Sequence, residues 1–69
     1  MVDTQVLEEI IEKSGKKKSY LADKLGITVQ SLRLKITNQT DFKTGEASIL
    51  CQELGITRLT EKEKIFFKK

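Results

Sequence analysis

Apolar residues recur along this chain at helical rather than strand spacing, in five short blocks separated by glycines or polar turns. In "DTQVLEEIIEKSG" the apolar positions Val6, Leu7, Ile10 and Ile11 form one helical stripe. Asp3 or Thr4 can cap its start, and Gly15 supplies a stop. "SYLADKLG" puts Leu21, Ala22 and Leu25 on one side and ends at Gly26. Thr28 then offers a hydroxyl to the free amides of a third helix that carries Leu32 and Ile36 inward. After the polar loop "TNQTDFK", Thr44 is the expected cap of a fourth helix. Ala47, Leu50, Cys51 and Leu54 make its buried stripe, Gly55 its stop, and Phe42 tucks under its start. A last helix, about 60–67, opens with Thr60 and Glu63 at capping-box spacing and carries Ile65, Phe66 and Phe67. The expected fold is all-α, a compact bundle of about five short helices in a single domain spanning 1–69.

One residue does not fit the inward pattern. At about 100° per residue, Leu32 and Ile36 share a side while Leu34 points away from them, beside Gln30, Arg33 and Thr37. A lone exposed leucine needs no special cause. On the outer face of a helix that a tight turn presents to solvent, it is also a candidate contact.

Sixty-nine residues bury one small core at most. Cys51 is the only cysteine, so disulfide stapling is out of reach and a reducing compartment is expected. There is no histidine. A single thiolate cannot assemble the usual zinc ligand set, and the commonest general base is missing, so neither metal nor cofactor nor enzymatic chemistry is expected. No apolar run is long enough for a bilayer, and Met1 is followed by a polar, acidic segment rather than a signal peptide, which predicts a cytoplasmic protein. Proline is absent, and no stretch looks like a linker or an internal repeat.

The net charge of +3 is unevenly placed. Lys16, Lys17, Lys18, Lys24, Arg33, Lys35 and Lys43 face only Asp23 and Asp41 within the stretch from 16 to 43, while the remainder is mildly negative. A positive middle is what a polyanion-binding face produces, although the same lysines also serve as an ordinary solvated surface.

Two short helices joined by a tight glycine-containing turn, about 18–37, are the outline of a helix-turn-helix, with small Ala22 where the helices cross. Through "SYLADKLGITVQSLRLKI", "TNQTDF" and "EASILCQELGI", roughly residues 5 to 57, the sequence resembles the lambda-repressor-like helix-turn-helix family of phage repressors, Cro proteins and XRE-type regulators. The whole chain looks most like the smallest phage-encoded members, which lack a second domain. The resemblance implies a sequence-specific regulator of transcription in a bacterial or phage-infected cell, with a recognition helix at about 28–37 lying in the major groove.

Carried over by position, the resemblance assigns base reading to Thr28, Val29, Gln30, Arg33 and Leu34, with Val29 half core. Lys17, Lys18, Ser19, Ser31, Lys35 and Asn38 are assigned to the DNA backbone. Lys18 stands where the family usually has a glutamine that braces the recognition helix. Gln30 suits the N6 and N7 edge of adenine and Leu34 the thymine methyl, while Arg33 reads guanine or holds a phosphate. The expected partner is a palindromic double-stranded operator bound by a homodimer, at least on DNA, with no membrane and no small-molecule substrate. The segment with Leu59, Ile65, Phe66 and Phe67 is the expected source of the interface, although Phe66 and Phe67 read first as core closure; if these side chains are used internally, the free protein is monomeric. The alternative keeps the fold as an antitoxin or anti-repressor type of protein-interaction module, with an apolar patch at Ile49 beside Phe66 or Phe67.

Overall fold

The computed structural model describes residues 2–57 and 59–66. They form five helices and, among the described residues, no strand: α1 (Thr4–Ser14), α2 (Lys18–Leu25), α3 (Val29–Ile36), α4 (Thr44–Leu54) and α5 (Leu59–Phe66). Each helix is too short to hold itself in water, so packing of the apolar stripes must supply what propagation cannot. Those stripes meet in one core of Val2, Leu7, Ile11, Leu21, Ala22, Leu32, Ile36, Leu50, Cys51, Ile56, Ile65 and Phe66. Val6, Ile10, Leu25, Ile27, Val29, Phe42, Ala47 and Leu54 pack around it half-buried. Burial pushes the Cys51 thiol above its ordinary value, so it serves as a small protonated core side chain.

The helix ends follow local chemistry. The Asp3 carboxylate accepts the Val6 amide at the start of α1, and the Thr28 hydroxyl oxygen accepts the Ser31 amide at 3.0 Å at the start of α3. Two expected caps are corrected. Thr44 is the first residue of α4, and the N-cap is Lys43. The Lys43 amide donates to the Glu46 carboxylate at 2.9 Å, which satisfies the N-cap backbone without a capping hydroxyl. α5 begins at Leu59, so Thr60 lies inside the helix rather than at its cap. The Thr60 side chain and Phe67 lie outside the described residues.

The C-terminal helix closes the core instead of projecting from it. Ile65 and Phe66 are 2 % and 6 % exposed, and the Phe66 ring meets Phe42 edge to face with centroids 5.5 Å apart. Phe66 thus closes the core as expected, and the interface expected of Ile65 and Phe66 is corrected, because both are used inside the molecule. Leu59 as a side chain lies outside the described residues. Val2, unremarked in the sequence, joins the core at 6 % exposure, and the Asp3 amide donates to the Ile65 carbonyl at 2.6 Å. Among the described residues, no helix is long and apolar enough to cross a membrane.

Candidate nucleic-acid interface

Residues 26–28 turn the chain from α2 into α3. Gly26 takes the left-handed conformation at φ 72°, and its amide donates to the Ala22 and Asp23 carbonyls. The Ile27 amide also donates to the Ala22 carbonyl at 3.0 Å, so the end of α2 is closed by backbone alone. Ala22 is 1 % exposed, which lets α2 and α3 pack closely at the turn.

The turn fixes which side of α3 faces out. Leu32 and Ile36 are 0 % and 1 % exposed, and Val29 packs half-buried against the same core. On the opposite side Gln30 and Arg33 are exposed, as is Thr28 just before the helix. The Thr28 oxygen already accepts from Ser31, but its hydroxyl proton stays available to an outside acceptor. Ser31 is half-buried. Leu34 lies on the outer side, yet it is half-buried rather than fully exposed. The chain after α3 curls back on it: the Gln39 and Thr40 amides both donate to the Leu34 carbonyl, at 2.9 and 3.2 Å.

The expected backbone contacts divide into open and committed groups. Lys17 and Ser19 are exposed at the start of α2, and Lys17 is in no ion pair among the described residues. Lys18 reaches back to α1, its ammonium 3.0 Å from Glu8, so it braces α2 against α1 and not α3. Lys16 pairs with Glu53 on α4 at 3.5 Å.

One assigned contact is corrected, and a second is found engaged within the chain. Lys35 is only 8 % exposed; its ammonium lies 2.8 Å from Glu46 and donates to the Asp41 carbonyl at 3.0 Å. On the helix wheel it lies on the other side of Leu32 from Ile36, at the edge of the buried side, where Glu46 of α4 meets it. The Asn38 residue is exposed, but its side chain is engaged within the chain. Its oxygen accepts the Val2 amide at 2.8 Å and its NH2 donates to the Val2 carbonyl at 3.0 Å. Its purpose in this fold is to hold the N-terminal segment.

Lys43 was not among the expected contacts, and its backbone is tied to α3 through Glu46. One oxygen of Glu46 accepts both the Lys35 ammonium and the Lys43 amide, so the start of α4 is moored beside α3. The Lys43 residue is exposed, and its ammonium forms no ion pair among the described residues. The available signal was Glu46 three residues on, half of a capping box. Exposed hydrogen-bonding groups are thus present on α3, and Lys17, Arg33 and Lys43 are exposed cations in no ion pair among the described residues.

The apolar patch of the alternative reading is only partly present. Ile49 is 38 % exposed, but Phe66 is inside. No protein-family model, no curated protein and no solved structure matches this chain.

Proposed function

We propose that this chain is a sequence-specific double-stranded DNA-binding regulator of transcription, a helix-turn-helix protein of the lambda-repressor-like class. The observation that carries the reading is the division of α3: Leu32 and Ile36 anchor it while Gln30 and Arg33 stay open beside it. A rod fixed along one side and bare along the other can enter a major groove. In this reading Gln30 and Leu34 read bases, and Thr28 reads through its hydroxyl proton. Lys17, Arg33 and Lys43 neutralise phosphates and release counterions, which makes affinity salt-dependent.

Specificity from so small a surface calls for two copies on an inverted repeat, with half-sites about 34 Å apart. The burial of Ile65 and Phe66 supports a reading in which the free chain is monomeric and pairs on the operator.

Selection of bound sequences from random duplexes at moderate salt tests the reading. A short inverted repeat with A/T-containing half-sites is the expected result. Enrichment of no sequence at all, with binding that vanishes at higher salt, overturns it in favour of plain electrostatic association.

A further inference from the structure

Asn38 is the one non-glycine residue at positive φ, 66°, among the described residues. Asparagine tolerates that left-handed conformation better than most residues, which explains its backbone but not its side chain. The side chain uses both amide hydrogens and its oxygen. Besides the two bonds to Val2, its NH2 donates to the Thr4 hydroxyl oxygen at 3.3 Å. The Thr4 hydroxyl in turn donates to the Ile36 carbonyl, the last residue of α3, at 2.6 Å. One carbonyl left open by the end of the helix is thus satisfied from 32 residues away.

The same short segment is held on its other side. Val2 is buried, and the Asp3 amide donates to the Ile65 carbonyl of α5. Residues 2–4 therefore form a strap from α5 to the exit of α3, fastened by directional bonds rather than by apolar contact alone. Packing by Leu32 and Ile36 sets the depth of α3, but apolar contact is not directional and leaves its axial angle less determined. Hydrogen bonds at its last carbonyl and at the residue two beyond it restrict that angle.

We infer that this strap, acting through Thr4 and Asn38, is a positioning device for the recognition helix. It fixes the angle at which α3 meets base edges, and so governs sequence discrimination rather than overall DNA affinity. The inference rests on the DNA-binding reading above. Base contacts depend on hydrogen-bond geometry, whereas phosphate contacts from long lysine side chains tolerate small rotations. Loosening the strap thus costs specific binding more than non-specific binding.

The test compares the full chain with Asn38→Gly, which keeps the backbone freedom and deletes the hook, and with Thr4→Val, which removes only the hydroxyl. Affinities for the selected repeat and for a scrambled duplex of equal length are measured at one salt concentration, well below each variant's melting temperature. The expected result is a fall of about fivefold per lost hydrogen bond in the specific-to-scrambled ratio, with scrambled affinity and its salt slope unchanged. A wild-type chain that discriminates, beside variants that melt earlier but discriminate equally well, overturns the positioning role and leaves Asn38 and Thr4 purely structural. A wild type that shows no preference overturns the DNA-reading proposal and the strap's role with it. Thr4→Val keeps the test open should Asn38→Gly fold poorly.

Discussion

Lys35 on α3 and Glu46 on α4 form an ion pair at 2.8 Å whose side chains are only 9 % and 13 % exposed. Desolvation of both partners is costly, and the pair holds because its geometry is close and each partner makes a further hydrogen bond. Lys35 also donates to the Asp41 carbonyl, and Glu46 also accepts the Lys43 amide. Removing one partner strands the other. Glu46→Ala should therefore lower stability by about 3 kcal/mol in urea melts. The double change Lys35→Met with Glu46→Leu should recover most of that loss, since an apolar pair of similar volume leaves no buried charge. A double variant no more stable than Glu46→Ala would contradict this account.

The same pair gives the fold an acid limit. Burial on its own raises the Glu46 pKa, but the Lys35 hydrogen bond, the Lys43 amide and the nearby charges outweigh it. The net value lies below the ordinary 4.5. A carboxylate depressed by folding contributes stability that is fully present above its unfolded value and is lost as pH falls through the folded one. Glu46→Gln should be less stable than wild type at neutral pH, and the gap should close as pH drops below about 4.5. Urea midpoints for both chains from pH 7 to pH 3 provide the check. A gap that stays constant with pH shows that Glu46 acts only as a hydrogen-bond acceptor.

What the sequence discloses here is what is encoded within a few residues. Helical periodicity and the stops at Gly15, Gly26 and Gly55 give all five helices, and Thr28 marks the start of α3, because each signal acts inside one turn. The outward set on α3 follows from the same period, with Gln30 and Arg33 as its open members. The failures are long-range. Lys35 reads as a solvated cation until Glu46 is placed opposite, and Asn38 reads as a loop polar group until Val2 arrives from 36 residues away. Val2 itself precedes the first helix and its N-cap, outside the helix whose stripe it joins. Thr44 has better capping chemistry than Lys43, but a capping hydroxyl is unnecessary when Glu46 reaches back to the Lys43 amide.

Gly26 and Gly45 should respond oppositely to alanine. A Cβ built at either meets nothing within 4 Å, so backbone conformation decides the sign. Gly26 sits at φ 72°, where an L side chain is strained, and Gly26→Ala should cost about 1 kcal/mol. Gly45 lies in the first turn of α4, and Gly45→Ala should stabilise by about 0.5 kcal/mol by restricting the unfolded chain. Thermal melts of the two variants against wild type decide it, and a shared sign is the outcome that defeats the argument.

On the DNA-binding reading proposed above, the exposed residues of α3 and the exposed cations should separate by salt. A residue that contacts phosphate contributes one released counterion, so Lys43→Ala and Arg33→Ala should weaken binding to specific and scrambled duplexes alike. Each should also reduce the slope of log affinity against log salt by about 1. A residue that reads a base edge leaves the slope alone. Gln30→Ala should instead cost about 1–3 kcal/mol on the selected site only, and relax preference at one base position in each half-site. Titrations by fluorescence anisotropy at several salt concentrations distinguish the two patterns. If Gln30→Ala matches wild type on both duplexes while Lys43→Ala and Arg33→Ala lose affinity, the exposed side of α3 sits near the duplex without reading it. Sequence preference must then come from elsewhere on the molecule.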